Sequence, residues 1–315
     1  MAEASASIHR APRTGGVRFA PSPTGHFHIG NLRTAWISHQ WSRALAKPWI
    51  VRVEDIDRPR VHPWAQASQL QDLHLLGLEP DQLLVQSEFA DRHWNLFRSA
   101  VLSGQVYACD CSRKEVQASL ASIASAPHSE HAPIYSGRCR QLTSPRELEA
   151  AETLAWRFRM PLTSGGEDFI IARSGAQLDS SGLPSRESFV PAYHWACAID
   201  DFDGAYELLV RSVDLQSAAR LQRAIHDWMG DLEGHRETPS VFHTSLIVDN
   251  SGHRLEKRTL GVRLEELLAA GTSTSELIAS FARSFDDSVF GKFRAAPSDF
   301  TEPRAQIHVE VLLRS

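Results

Sequence analysis

Apolar and polar positions change period several times along the chain. Gly16 to Ala20 alternates like the start of a strand, and residues 29–46 (IGNLRTAWISHQWSRALA) carry Ile29, Leu32, Trp36, Ile37 and Trp41 at near-helical spacing. Pro48 stops that helix. WIVRVEDI (Trp49 to Ile56), rich in β-branched residues, reads as a second strand. WAQASQLQDLHLLGL reads as a helix closed by Gly77 as its C-cap, and EFADRHWNLFRSAVLSG (residues 88–104) as another. Strand, helix, strand, helix at this rhythm predicts βαβ units and a parallel sheet.

The rhythm breaks between Tyr107 and Ser188, where cysteines, a Ser/Ala/His-rich loop and short mixed runs (LAWRFRM, DFIIARSG) predict an inserted, more β-rich subdomain. It resumes with FVPAYHWACAIDDFDGAYELLVRSVDL, read as two strand-like runs around an acidic, Gly-ended hairpin turn at Asp200 to Gly204. The helix-like LQSAARLQRAIHDWMG follows, then a strand-like VFHTSLIVDN. The expected organisation is a polar, mobile tail over 1–16 ending in a Gly-Gly hinge, then the first half of a nucleotide-binding domain over 17–106. The insertion over 107–188 separates it from the second half over 189–238. A basic loop and a mostly helical appendage, 239–315, complete it. The fold class is α/β, a Rossmann-like parallel sheet split by an insertion.

Composition narrows the function classes. At 315 residues the chain can bury a sizeable core, and 42% hydrophobic with 23% charged residues describes an ordinary soluble globular protein. No apolar run approaches the ~18–20 residues that span a bilayer, and MAEASASIHRAPRTGG lacks the apolar centre of a secretion signal, so the expected address is the cytoplasm. Nothing in the composition demands more than a monomer. A net charge of −5 argues against non-specific coating of nucleic acid, while HRLEKRTLGVR (His253 to Arg263) leaves room for a local basic face.

Chemistry concentrates in PSPTGHFHIGN, Pro21 to Asn31. A strand that ends in a Gly-containing turn and feeds a helix N-terminus makes an anion site from backbone N–H groups and the helix dipole. Gly25 and Gly30 permit close backbone approach, and His26 and His28 add donors suited to charge developing on phosphoryl oxygens. Four cysteines are too few for a disulfide scaffold. Cys197, in an apolar run read as strand, is expected to be a small buried hydrophobe. Cys109, Cys111 and Cys139 have the short-spaced pairing of a four-coordinate structural zinc site. On spacing alone Tyr135, His128 and His131 are equal candidates for the fourth ligand.

RFAPSPTGHFHIGNLRTA resembles the first signature of class I glutamyl-tRNA synthetases, with Asn31 at its fourth position in place of His. VRVEDIDRPR, FVPAYHWACAIDD and RSVDL resemble further blocks of the same family, and HRLEKR falls where the second signature, KMSKS, belongs. The resemblance covers roughly residues 17–260 in order. It implies ATP-dependent activation of L-glutamate, with Mg2+ accompanying ATP. His28 and Lys257 are implied as catalytic groups, with His26, Gly30 and Asn31 also against ATP. Arg18 is implied to fork onto the side-chain carboxylate of glutamate, Glu54 to accept from the α-amino group, and Phe19, Ala20, Pro21, Ser22, Tyr193 and Arg211 to complete the pocket. In the second signature Arg254 replaces the first lysine and Glu256 a serine, with Glu256 expected to pair with Arg258.

Only some 55 residues follow Arg258, too few for the two-part anticodon reader of glutamyl-tRNA synthetases. A core without that reader resembles the glutamyl-queuosine tRNA(Asp) synthetases, and so does a C-x-C…Y-x3-C zinc pattern, which favours Tyr135 as fourth ligand. That resemblance implies tRNA-independent activation of glutamate and transfer to queuosine in the anticodon stem-loop of tRNA(Asp). The inserted subdomain and the Arg254–Arg263 cluster are expected to line the RNA surface. Rival expectations are a shortened glutamyl-tRNA synthetase charging tRNA(Glu), an inert RNA- or zinc-binding module, and an activating enzyme with another acceptor.

Overall fold

The computed structural model describes residues 9–111, 135, 137–141, 152–161, 167–249, 251–253, 262–295 and 299–313. The chain divides into two compact units, Ala90–Ile199 and Arg10–Phe89 with Asp200–Ser315. Among the described residues no helix is long and apolar enough to cross a membrane.

The second of these units is built on a six-stranded sheet, all of whose pairings are parallel. Its strands are β1 (Val17–Phe19), β2 (Trp49–Val53), β3 (Gln82–Val85), β8 (Leu208–Ser212), β9 (Ser240–Thr244) and β11 (Phe300–Thr301). They lie in the order β11-β9-β8-β1-β2-β3. Helix α1 (Ile29–Leu45) carries β1 to β2 on one side, whereas β8 flanks β1 on the other. The gap between β1 and β8 is therefore the point where strand order reverses, and open parallel sheets bind ligands there, beyond their C-terminal ends.

Alternation along the strands sends two different sets of side chains to the two faces. Val17, Phe19, Trp49, Val51, Leu208, Val210 and Phe242 join one core with Leu32, Trp36 and Trp41 of α1. Ile50, Leu84, Leu209 and Val241 pack on the other face with Phe89 and Tyr206. Arg18, Arg52, Arg211 and His243, interleaved with this second set, share its face and are all buried.

Helix α2 (Pro63–Leu75) begins with Pro at its first turn and ends two residues before Gly77, whose φ of +66° favours glycine. The edge strand β3 is too short, with Leu83 exposed, to stand out in the sequence. Helix α5 (Gln216–Glu233) follows β8, and the C-terminal segment contains α6 (Leu264–Ala269), α7 (Thr274–Arg283), α8 (Ser288–Ala295) and α9 (Val309–Leu313), but also β11 and β12 (Gln306–His308). β12 pairs in parallel with β10 (Leu246–Val248). A buried fork ties this segment to α1. Arg33 Nη1 and Nη2 each donate to a Glu302 carboxylate oxygen at 2.7 Å, and Ser284 accepts from Nε and Nη2 at 2.8 and 2.9 Å.

The unit Ala90–Ile199 holds an antiparallel sheet, β4-β5-β6-β7, formed by Val106–Cys109, Thr153–Phe158, Phe169–Gly175 and Val190–Pro191. It also takes in α3 (Ala90–Leu102), upstream of the boundary expected at residue 107. The Phe97 ring lies 5.0 Å from Trp156 and 4.6 Å from Phe189, so α3 shares a core with the inserted strands.

Two expectations are corrected. FVPAYHWACAIDDFDG is not a strand and hairpin turn: Tyr193–Gly204 is a helix, α4, with Cys197 inside it and Asp200 to Gly204 as its last turn. Every residue from Trp195 to Asp203 is buried, so the segment lacks the polar stripe that marks a helix and reads like a buried strand. Residues 9–16 are not a free tail and hinge. Ala11 is in the core, Arg10 pairs with Glu233 at 2.8 Å, and the N–H groups of Thr14 and Gly15 donate to the Gly204 carbonyl. Gly16, at φ +88°, would place a Cβ 2.4 Å from the Pro48 carbonyl oxygen. This is an anchor. Residues 1–8 lie outside the described ones.

Candidate active site and metal centre

The loop from Ala20 to His28 leaves β1 and enters α1 at the sheet's C-terminal edge. Buried Gln69 of α2 clamps it, donating from Nε2 to the carbonyls of Ser22 (3.1 Å) and Gly25 (2.7 Å). The Pro21 carbonyl accepts from Glu54 N–H at 2.9 Å, coupling the loop to the end of β2. Phe19 faces the core, its ring 6.4 Å from Trp49, so only its backbone is turned to the loop. Ser22 is exposed and Ala20 half-buried.

His28 is the N-cap of α1. Its Nδ1 accepts from Gly30 N–H at 3.1 Å, which assigns the neutral ring's proton to Nε2 and makes that atom a donor. Asn31 completes a capping box, its side-chain oxygen accepting from His28 N–H at 3.2 Å. An amide at this position thus holds the His28 backbone. Gly30 is required by the ring itself: a Cβ there would meet His28 Cε1 at 2.9 Å and Nδ1 at 3.0 Å, and Ile247 at 3.3 Å. His26 turns away toward α2, with Nδ1 2.8 Å from Ser68 Oγ and its ring 4.7 Å from Trp64.

Lys257, with Arg254, Glu256 and Arg258, lies outside the described residues, but both flanks of that segment converge on α1. Ile247 of β10 borders Gly30, and the Val262 carbonyl accepts from Ile29 N–H at 3.0 Å.

On the same sheet edge lies a buried network of charges. Arg18 donates to Asp201 from Nε (3.1 Å) and Nη2 (2.6 Å), and Arg52 donates to Asp201 (2.7 Å) and Glu54 (2.9 Å). Asp200 lies 4.0 Å from Arg52 Nε and accepts from Gln86 at 2.6 Å. Three carboxylates thus surround two guanidiniums. Burial opposes ionisation of Asp201, but Arg18 and Arg52 outweigh it and hold its carboxyl well below the usual carboxylate range.

Arg211, on β8, differs. It is 4% exposed, and its hydrogen-bond partners are the Gln222 side-chain oxygen (2.6 Å from Nη1) and His243 Nε2 (3.4 Å from Nε). Burial and the Arg211 charge push His243 down to about 4, so it is neutral near pH 7. Among the described residues of this unit four arginines are buried. Arg18, Arg33 and Arg52 each close on a carboxylate, whereas Arg211 forms no such pair. Its Nη2 and the Nε2 of Gln222 are buried without a hydrogen-bond partner. A buried cation with only neutral partners is unfavourable unless an anion joins it.

Of the residues expected to hold glutamate, the structure joins Arg18 and Glu54 through Asp201 and Arg52 and places Arg211 one strand away. Tyr193 belongs to the other unit, at the first turn of α4. Asp201, Arg52, Gln222, His243 and Gln69 were not anticipated. The one local signal was the alternation of Arg52 and Glu54 along a strand, which places both on one face.

In the other unit the Sγ atoms of Cys109, Cys111 and Cys139 lie within 4.8 Å of one another, an arrangement able to hold a metal ion. Cys111 and Cys139 are 3.6 Å apart, far beyond an S–S bond and near the ~3.8 Å expected of two thiolates on one tetrahedral zinc. The Tyr135 hydroxyl accepts from Cys139 N–H at 2.9 Å, so it sits at the cluster. Arg157 lies 3.6 Å over the Tyr135 ring and donates to Cys109 Sγ at 3.3 Å. Burial raises the Cys109 thiol, and hydrogen bonds from Arg157 and the Cys111 backbone more than offset it, lowering its pKa. Cys111 is pushed up to about 12 by burial and by the neighbouring sulfurs. Three sulfurs crowded with a phenol make a donor set that fits a divalent soft cation. His128 and His131 lie outside the described residues.

Comparison with known proteins places the chain in a family. Residues 16–285 match the family described as tRNA synthetases class I (E and Q), catalytic domain. The chain is 34% identical over 294 residues to a glutamyl-Q tRNA(Asp) synthetase of Deinococcus radiodurans, covering 91% of this chain and 93% of that one. It is 31% identical over 274 residues to one of Rhodobacter capsulatus, covering 82% and 97%. A crystal structure of a glutamate tRNA ligase from Elizabethkingia meningosepticum, in complex with its amino acid, superposes with a TM-score of 0.57 at 22% identity. That match covers 78% of this chain and 52% of the ligase, and it establishes the shared fold; this chain spans about half the ligase's length. The chain belongs to the catalytic-domain family of the class I glutamyl- and glutaminyl-tRNA synthetases and, within it, to the glutamyl-Q tRNA(Asp) synthetases.

Proposed function

We propose that this protein activates L-glutamate with ATP, independently of RNA, and transfers the glutamyl group to queuosine in the anticodon loop of tRNA(Asp). The carrying observation is the buried Arg211, which meets no carboxylate among the described residues, at the β1/β8 switch point, beside the buried carboxylates of Glu54, Asp200 and Asp201. An α-amino acid with a second carboxylate complements both: an anionic end for Arg211 and the Gln222 amide, and an ammonium for Glu54. Arg18, gripped by Asp201, and the backbone of Phe19, Ala20, Pro21 and Ser22 form the wall. The acceptor is the one named for the curated relatives.

A glutamate carboxylate oxygen attacks the α-phosphorus of ATP, brought in with Mg2+; the bond to the bridging oxygen breaks and pyrophosphate leaves. The protein's part is positioning and charge stabilisation. His28 Nε2–H donates to the transferring phosphoryl group, Gly30 lets the α1 N-terminus approach it, and Asn31 and His26 hold the loop. Lys257, on the segment whose two flanks pack at α1, neutralises the departing phosphates. A nucleophile of the modified base then attacks the acyl carbon and AMP leaves. Cys109, Cys111 and Cys139, with Tyr135 beside them, would hold one Zn2+ in a structural role, joining the end of β4 to the turn at Arg138–Gln141.

The test is incubation with ATP and labelled glutamate in the presence of queuosine-containing tRNA(Asp), queuosine-free tRNA(Asp) or tRNA(Glu). Label is expected on the first alone, with glutamate-dependent ATP–pyrophosphate exchange in the absence of RNA. Label on tRNA(Glu), or exchange only when RNA is added, refutes the reading.

A further inference from the structure

The segment joining β2 to α2 reads Asp57-Arg58-Pro59-Arg60-Val61-His62-Pro63-Trp64, with a cation or an aromatic ring at every second position from Arg58. Trp64 is 51% exposed, although an indole is normally largely buried. Its orientation is nonetheless set. The His62 ring stacks on it at 5.6 Å and 11°, and the His26 ring meets it at 4.7 Å and 47°, itself anchored on Ser68. Pro63 stiffens the entry to the helix. Arg58 and Arg60 are exposed; Arg60 closes on Asp57, and Arg58 forms no ion pair among the described residues.

We propose that Trp64 is a stacking platform for an unpaired base of the acceptor RNA, with Arg58 on the adjoining phosphate. The surroundings favour RNA over a protein partner: the exposed arginines Arg58 and Arg60 lead to the ring, whereas a protein-binding patch would continue the apolar surface. Aromatic rings interleaved with basic side chains are how single-stranded loops are held. The platform is continuous with the activation site, since His26 and His28 share one loop. The inference rests on the proposed RNA acceptor. It moves part of the RNA surface from the inserted subdomain onto the catalytic unit.

The experiment compares wild type, W64A, W64F and R58A in two assays. One is RNA-free, glutamate-dependent ATP–pyrophosphate exchange; the other is glutamyl transfer to queuosine-containing tRNA(Asp), with binding of the matching anticodon stem-loop followed by anisotropy. W64A is expected to exchange at the wild-type rate while its KM for the tRNA and its Kd for the stem-loop rise roughly tenfold to a hundredfold, the size of one lost base–aromatic stack. W64F should retain most of the affinity, and R58A should weaken binding and flatten its salt dependence. Transfer and binding by W64A equal to wild type overturn the platform and leave the acceptor reading intact. Loss of exchange in W64A also overturns it, by showing that the ring only supports the activation loop. A wild type that exchanges but glutamylates no RNA refutes the acceptor reading, and the platform with it.

Discussion

Arg211 and Arg33 are both buried arginines of one unit, yet the structure predicts opposite consequences for removing them. Arg33→Met leaves Glu302 a buried carboxylate facing only the Ser245 N–H among its former partners, and breaking a buried pair from one side costs ~3–5 kcal/mol. At ~2–4 °C per kcal/mol for a unit of this size, the melting point should fall by about 10 °C. Arg211→Met removes a cation that no carboxylate meets. The relief offsets the ~1–3 kcal/mol lost where the Gln222 oxygen and His243 Nε2 lose their donor, so stability should stay within ~1 kcal/mol of wild type. Binding should behave the other way round. Loss of a charge-assisted fork onto a carboxylate costs ~3 kcal/mol or more, a KM increase for glutamate of at least about a hundredfold in ATP–pyrophosphate exchange. Glutamate at a hundred times its Kd adds ~2.7 kcal/mol to wild type, and that shift should be absent in Arg211→Met. Thermal melts with and without glutamate, alongside exchange kinetics, measure all of this. If Arg211→Met melts as far below wild type as Arg33→Met does, or keeps the wild-type KM, the unmet charge is not a carboxylate site.

Gly30→Ala would push the His28 ring off its cap, lowering exchange by about tenfold to a hundredfold; alanine's better helix propensity keeps the fold intact, so an unchanged rate with an unchanged melt would contradict the contact. His243 titrates near 4 when folded and near 6.5 when unfolded, so the unfolded chain binds the extra proton between those values. The stability this confers is fully present above pH 6.5 and is lost as pH falls toward 4, by ~3 kcal/mol; His243→Asn should flatten that part of a melting-versus-pH curve, and an unaltered slope would refute the assignment. Cys139→Ser should lower bound zinc from about one equivalent toward none by atomic emission and destabilise the unit containing it, while full zinc content would place the metal elsewhere.

Much of the catalytic unit was legible because its elements are punctuated locally. Pro48 ends α1, Gly77 closes α2, and the β-branched Trp49–Val53 run sits between them. What escaped was whatever burial makes uniform. α4 has no polar stripe because both its sides are covered, and β3 is a short edge strand with an outward leucine. The cysteine cluster belongs to the legible part, since Cys109 and Cys111 needed only a loop to bring Cys139 to them.

The site was legible in its residue types but not in its pairings, and the pairings decide the chemistry. Arg18 and Arg211 look equivalent as lone arginines near strand ends. Arg18 meets its carboxylate 183 positions downstream, in a stretch that reads as a turn, and no local pattern reveals that Asp201 would already grip it. Only when β1 and β8 lie side by side does it emerge that one cation is matched and the other is not. The same contacts explain why Asn31 can stand in place of a histidine. The position is used for the His28 backbone, and an amide oxygen caps it, while the His28 ring packs against Gly30 and accepts from its N–H. A histidine at position 31 should therefore be tolerated for stability, since N-cap bonds contribute only about 1 kcal/mol, and its effect on exchange would measure how much direct phosphate contact the amide forgoes.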